Sequence, residues 1–317
     1  MSGSGNAILR GLDGSSVVAG ARFGATQFVD PLNGWAQVST PAGSGVAVTA
    51  DGGATWDLRY LTPSTQSSAR ALTSADPLHA WVIVDDAPSS TSIFANRTSR
   101  VLATDDGGLS WRQAYAGAFL AGISMSSATH GWRRAVEGTT TSLFATADGG
   151  RTWTLSRTFE EVPVFMAVVG EADAWLLLGG AGTGHCGSSS CDWYFLYHTA
   201  DGGRTWTLLG NPTKDQGACS GYISQLLFAT SSSGWIAMRH GAGGADGHQG
   251  GILRTVDGGR TWECRTPPLE VSELSAPSAT EVWALAALEP YSSDVRLWGS
   301  FDGGSSWLYW PVQPIVP

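Results

Sequence analysis

The chain has 317 residues, among them 42 Gly and 15 Trp, and its 18 basic and 27 acidic residues give a formal net charge of -9. Charged residues make up only 14%, against roughly 25% in a typical soluble domain, which excludes a charge-rich, aromatic-poor disordered chain. Glycines without a three-residue period exclude collagen, the acidic balance excludes the basic stripe of a nucleic-acid binder, and the longest apolar run, Val162 to Gly170, is about half of a membrane span.

The first 20 residues precede any repeat and lack the basic and apolar blocks of an export signal. The chain is therefore expected either to be cytosolic or to have lost such a signal. Ala7-Ile8-Leu9-Arg10 and Ser16-Val17-Val18 are too short for a blade of their own. They are expected to form an arm with an edge strand that helps seal the first repeat to the last.

From residue 21 onward one octapeptide recurs six times: TADGGATW ending at Trp56, TDDGGLSW at Trp111, TADGGRTW at Trp153 and again at Trp206, TVDGGRTW at Trp262 and SFDGGSSW at Trp307. The intervals of 55, 42, 53, 56 and 45 residues match one four-stranded propeller blade. A second tryptophan lies upstream of each copy, at Trp35, Trp81, Trp132, Trp175, Trp235 and Trp283. Short apolar or β-branched runs bounded by Gly, Ser, Asp and Asn read as strands. In the third repeat these are Phe119 to Met125, Gly131 to Val136, Ser142 to Thr146 and Trp153 to Ser156.

Six repeats predict an all-β fold, a six-bladed β-propeller of four-stranded antiparallel blades. The blades span about 21–62, 67–116, 117–160, 161–212, 219–267 and 268–312. A seven-bladed ring is the alternative. All the blades form one domain, because each buries its faces against its neighbours.

Each Asp-Gly-Gly is expected to make the hairpin turn between the third and fourth strands. There glycine tolerates positive φ, and the carboxylates of Asp51, Asp106, Asp148, Asp201, Asp257 and Asp302 accept hydrogen bonds from nearby amides. The Ser or Thr hydroxyls add local bonds, and Trp56, Trp111, Trp153, Trp206, Trp262 and Trp307 cover the turns and pack between sheets.

The octapeptides resemble the Asp-box, or BNR repeat, of sialidases, xyloglucanases and sortilin-type receptors. With Gly-Trp before the second strand they most resemble the photosystem II assembly-factor-like propellers. That resemblance implies the fold and a structural role for the six carboxylates. The assembly factors are thought to be seven-bladed, so six repeats imply a relative with different closure. Function is carried by sites rather than by the fold.

Binding residues are expected on the loops opposite the Asp-Gly-Gly turns, chiefly Asp85 to Arg100, Gly180 to Asp192, Arg239 to Gly250 and Glu289 to Asp294. The binding candidates are Arg97, Arg100, Arg133, Arg134, Arg239, His240 and Tyr291, among neighbours Asp85, Asp86, Glu137, Arg157, Glu160 and Glu161. Arg133 and Arg134 occupy one strand and point to opposite sides of it; an ion pair with Glu137 or a neighbour is preferred there over an anion site. His240, Asp246 and His248 with His185 are chemically fit for a transition metal, but the plainer reading is a loop with incidental histidines, so no metal and no cofactor is expected.

Cys186, Cys191, Cys219 and Cys264 allow three pairings. Disulfides are preferred over free thiols or zinc, and they place the protein outside the cytoplasm. A sialidase needs three arginines clamping a carboxylate, a Tyr-Glu pair and an acidic acid/base. Its Arg-Ile-Pro signature is absent, and Tyr222 and Tyr291 have no evident glutamate partner. Xyloglucanases use a cleft between two propellers. The expectation is an exported, bacterial, non-catalytic propeller that binds a protein or extended peptide, with a glycan-binding or glycoside-hydrolysing propeller as the alternative.

Overall fold

In the computed structural model each repeat folds into an antiparallel sheet of four strands taken from consecutive chain, and its third and fourth strands are joined by an Asp-Gly-Gly turn. The structure describes residues 8–86, 98–138, 140–179, 194–214, 216, 219, 221–239, 250–265, 270–287 and 295–310. The chain divides into two compact units, Met1–Glu160 and Glu161–Pro317.

The first unit begins with β1 (Ile8–Arg10), followed by β2 (Arg22–Phe28), β3 (Gly34–Thr40), β4 (Gly43–Thr49) and β5 (Thr55–Leu61) in the first blade. The second blade comprises β6 (Ser68–Ser74), β7 (Ala80–Asp85), β8 (Thr98–Thr104) and β9 (Arg112–Ala118). The third comprises β10 (Leu120–Met125), β11 (Gly131–Glu137), β12 (Thr140–Thr146) and β13 (Thr154–Phe159).

β1 pairs in parallel with β5, Leu9 opposite Trp56, and becomes a fifth strand on the outer edge of the first blade. The arm thus supplies the expected edge strand, and it adds it to the first blade. Leu9 is buried among Val38, Ala47, Trp56 and Leu58 of its own blade, and that burial fixes the arm where it lies. Between the first two blades Trp35 and Val46 pack with Leu72, Val82, Val84 and Leu102, and between the next two Trp81, Ile83 and Val101 pack with Leu120, Ile123 and Met125.

The second unit holds the fourth blade, β14 (Val162–Val169), β15 (Asp173–Gly179), β16 (Tyr194–Thr199) and β17 (Thr207–Gly210), and the fifth, β18 (Tyr222–Phe228), β19 (Gly234–Arg239), β20 (Gly251–Thr255) and β21 (Glu263–Arg265). The sixth is β22 (Glu270–Ser275), β23 (Val282–Ala287), β24 (Val295–Ser300) and β25 (Leu308–Trp310). Trp175, Leu177 and Leu196 pack against Ile223, Phe228 and Ile236, with Trp175 stacked on Phe228 at 3.7 Å between centroids. Trp235 and Ile252 pack in turn against Val271, Leu274 and Ala284. Cys219, ahead of β18, is bonded to Cys264 in β21, with Cα atoms 5.5 Å apart, and so ties the entry of the fifth blade to its outermost strand.

The six turns share one hydrogen-bond pattern. The hydroxyl at the first position donates to the aspartate Oδ1 at 2.8–2.9 Å and accepts the N–H of the second glycine. The hydroxyl at the seventh position donates to Oδ2 at 2.6 Å, while its own N–H donates to Oδ1. The two glycines have φ of 71–76° and 81–97°, values that a side chain makes costly. The N–H of the first glycine bonds a carbonyl in the loop between the first and second strands, from Gly52 to Leu32 through Gly303 to Thr280.

These bonds pull the carboxylates below the usual range. Hydrogen bonds from Thr55 hold Asp51 at about 2, and those from Ser110 do the same for Asp106. At Asp148 burial pushes upward, but the bonds from Thr152 and Thr146 outweigh it and the value falls to about 2.

The upstream tryptophans act as latches. Trp81 donates its indole N–H to Gly149 O at 2.9 Å, Trp175 to Gly258 O at 2.8 Å and Trp235 to Gly303 O at 3.0 Å, so a tryptophan of one blade grips the Asp-Gly-Gly turn of the next. Trp35 uses Asp76 O in the neighbouring loop instead.

Candidate functional site

The six first strands are irregular. Each slips register by a bulge against its partner, at Phe23/Thr26, Arg70/Thr73, Leu120/Gly122, Pro163/Phe165, Ile223/Gln225 and Val271/Glu273. Bulges bend a strand and re-aim its side chains. At the bulge of β6 Ala71 has φ +50°, the one described non-glycine residue in that region.

Next to that bulge lies a charged cluster at the ends of the sheets away from the Asp-Gly-Gly turns. Arg70 grips Asp85 with two bonds, Nε to Oδ2 at 2.5 Å and Nη2 to Oδ1 at 3.0 Å, and Nη2 also donates to Leu120 O in the third blade. Asp85, 8% exposed, also accepts from Ser99 Oγ at 2.7 Å, and Ser99 Oγ accepts from Leu120 N–H. The guanidinium lies over the Phe119 ring at 4.7 Å. Arg100 and Asp86 form a second two-bond pair at 3.0 and 2.7 Å, and burial raises the Tyr60 phenol despite the opposing charge of Arg100.

Arg133 and Arg134 behave differently, and the expectation of an ion pair is corrected for both: among the described residues neither has a carboxylate partner. Arg133 is 6% exposed and packs on aromatic faces, 4.0 Å from the Tyr115 centroid, 3.9 Å from Phe144 and 5.4 Å from Trp153. Burial lowers its pKa, and ring quadrupoles supply the compensating charge. Glu137 instead sits exposed at the end of β11.

Arg134 is opposite Gly122 in the β10–β11 ladder. A Cβ on Gly122 would come within 2.1 Å of its Nη2, so the missing side chain is what lets the guanidinium lie across the first strand. Its Nε is shielded from water without a partner. Burial, and then the positive charge of Arg70, pushes its pKa down to about 10.

The other candidates are dispersed. Arg239 donates to Ser272 O in the sixth blade. Arg157 lies 5.0 Å over the Phe159 ring. Arg97, His240 and Tyr291, with His185, Asp246, His248, Cys186 and Cys191, lie outside the described residues. Among the described residues no group of three His, Cys, Asp or Glu is placed to hold a metal ion, and no helix is long and apolar enough to cross a membrane.

Arg70 was absent from the sequence expectations. Its signal was there: an arginine within the apolar run Ala69 to Leu72, set against an aspartate four residues after Trp81.

The protein is, by this architecture, a six-bladed β-propeller of four-stranded blades. No protein-family model matches the chain, and no curated protein matches it in sequence. Solved structures do match. The propeller YCF48 bound to a D1 peptide superposes with a TM-score of 0.60 at 18% identity, over 91% of this chain and 82% of that one. YCF48 from Cyanidioschyzon merolae gives 0.59 at 16%, over 92% and 85%. The GH74 enzyme of Niastella koreensis gives 0.58 at 15%, over 87% of this chain and 43% of the enzyme. At these identities the likeness is one of fold.

Proposed function

We propose that the protein is a non-catalytic propeller that binds a protein or an extended peptide. The observation that carries this reading is the state of the charged groups around β6, β7 and β11. Both carboxylates, Asp85 and Asp86, are held in two-bond arginine pairs, which suits a fixed scaffold and not proton transfer to a substrate. Arg134 is the group left over, with no acceptor for its Nε among the described residues. A propeller of the same fold has been solved with a peptide bound, which supports the same choice of ligand class.

We read the six octapeptide turns as Asp-boxes in a structural role, their carboxylates spent on the turns themselves. The Cys219–Cys264 bond supports export, because disulfides persist in oxidising compartments. A bacterial assembly or cell-surface factor is the role this favours.

The test is affinity capture from the source organism's secreted and surface proteins, run beside a panel of fluorogenic glycosides. Turnover of any glycoside, lost on substitution of Asp85 or Asp86, would overturn the non-catalytic reading. It would support the second reading, a glycan-active propeller, which the likeness to the GH74 enzyme favours.

A further inference from the structure

We infer that Leu32, Leu78 and Leu109 belong to one docking surface on the Asp-Gly-Gly side of the first two blades, whose occupant is a basic segment of a partner protein that brings apolar side chains between its lysines or arginines. This surface lies at the opposite ends of the sheets from the charged cluster, and it stands whether or not a peptide binds there.

The turns do not require these leucines. Leu32 and Leu78 hold the same place, three residues before the upstream tryptophan, where the other four blades carry Thr, Ala or Ser. In all six blades the carbonyl at that place accepts the N–H of the first turn glycine, a bond indifferent to the side chain. Leu109 follows the second glycine of its turn, where the other five turns carry Ala, Arg or Ser. No described neighbour covers the three side chains: Leu109 is 74% exposed, Leu32 57% and Leu78 53%.

They are also held in place. A proline precedes both Leu32 and Leu78, and Asp30 Oδ1 accepts the N–H of the first at 2.8 Å as Asp76 Oδ1 accepts that of the second. Leu78 Cδ2 lies 3.8 Å from where a Cβ on Gly107 would stand, beside the turn that carries Leu109. Trp35, three residues after Leu32, donates to Asp76 O at 3.1 Å and ties the two loops together. Apolar side chains fixed in advance lose little entropy on binding, and their grouping on adjacent turns marks an interaction site.

Charge selects the occupant. Asp30, Asp51 and Asp106 stand among the leucines and, among the described residues, take hydrogen bonds only from neutral donors. Hydrogen bonds from Thr55 and Ser110 hold Asp51 and Asp106 at about 2, so both are anionic at neutral pH. Asp76 meets His79 at 2.9 Å, and Asp105 is matched by Arg151 at 2.7 Å. A second copy would set this acidic rim against itself in a chain whose net charge is -9, and an anionic lipid surface would be repelled in the same way. A basic segment with apolar anchors complements both the charge and the leucines.

The test uses the intact chain with leucine methyl groups labelled for NMR. The probes are a short amphipathic peptide of leucine and lysine, its leucine–glutamate counterpart, and vesicles of phosphatidylcholine with and without phosphatidylglycerol. The expected result is that the lysine peptide shifts the methyl signals of Leu32, Leu78 and Leu109. The exposed Leu155 and Leu208 stay unmoved, and the glutamate peptide does nothing. Affinity for the lysine peptide falls roughly tenfold or more in L32S/L78S/L109S, at an unchanged thermal midpoint, and it weakens as sodium chloride rises from about 0.05 to 0.5 M.

No shift at the three leucines would overturn the surface, and shifts confined to the other ends of the sheets would do so while leaving the peptide-binding reading standing. Equal binding of the glutamate peptide would overturn the basic occupant. Vesicle binding lost in the triple variant would give the surface to a membrane, and a wild-type dimer that becomes monomeric in the triple variant by sedimentation velocity would give it to a second copy. A midpoint lowered by several degrees in the triple variant would make the leucines structural.

Discussion

Replacing Asp148 by Ala tests the turn chemistry on which the fold depends. The carboxylate accepts three bonds, from Thr146 Oγ1 at 2.8 Å, Thr152 N–H at 2.9 Å and Thr152 Oγ1 at 2.6 Å. Water can replace the Thr152 bonds, because that residue is exposed; the Thr146 hydroxyl is 6% exposed and must find another acceptor. A bond to a charged acceptor contributes ~1.5–3 kcal/mol where water is excluded and less where it is not, so the loss comes to about 2–3 kcal/mol.

The turn also holds the second blade, because Gly149 O accepts from both the Trp81 indole and Arg112. An unfolding entropy of about 0.7 kcal/mol/K for a chain of 317 residues converts the loss into a midpoint about 3–5 °C lower. Differential scanning calorimetry at pH 7 measures it, with the exposed Glu137→Ala as control.

The pH dependence has a definite sign. The folded value of about 2 lies below the ordinary 3.8, so the stabilisation is complete above about pH 4 and fades as pH falls toward 2. The gap between wild type and D148A therefore closes in acid. A gap below 1 °C at pH 7, or one that persists unchanged at pH 2, would refute the account of the turn.

The same logic extends to the whole molecule: with Asp51 and Asp106 likewise held at about 2, the urea midpoint of the wild type is expected to drop between pH 4 and 2. Trp235→Phe removes the indole bond to Gly303 O and opens a small cavity at a fully buried site, which together cost about 2 kcal/mol, read as a lower urea midpoint with unchanged m-value. Cys264→Ser, or reduction, opens a cross-link between residues 45 apart in sequence, worth about 4 kcal/mol in the chain-entropy picture; calorimetry with and without a phosphine reductant should show the wild type falling toward the variant. Arg70→Ala strands the buried Asp85 and is expected to cost about 3 kcal/mol or more, whereas Arg70→Ala with Asp85→Ala should recover part of that loss in the same assay.

The blade was written plainly in the sequence because its turn leaves little choice of residue. Positive φ at two successive positions selects Gly-Gly, and three donors converging on one carboxylate select Asp with hydroxyls two residues before and four after it. A six-fold repeat multiplies that signal. The upstream tryptophans were visible as a pattern, but their role was not. Their indole bonds run to carbonyls 68 or 83 residues away, and no local pattern marks a backbone acceptor. The arm shows the same limit: Ile8-Leu9-Arg10 reads as a strand, but its choice of partner depends on the pocket that buries Leu9.

The site was only half legible, for a reason rooted in strand geometry. Alternation correctly sends Arg133 and Arg134 to opposite faces, and it stops there, because what waits on each face comes from other strands. On one face Tyr115, Phe144 and Trp153 meet Arg133, so a carboxylate partner is unnecessary. On the other, Gly122 and the already paired Arg70 leave Arg134 unmatched. Glu137, three residues beyond Arg134 in sequence, lies about 10 Å further along the extended strand and cannot reach back. Proximity in sequence favoured an ion pair, and the extended backbone rules it out. A repeat-by-repeat comparison carried the stronger hint, since an arginine standing where five other blades place Gln, Ile, Leu or Ala serves something other than the blade.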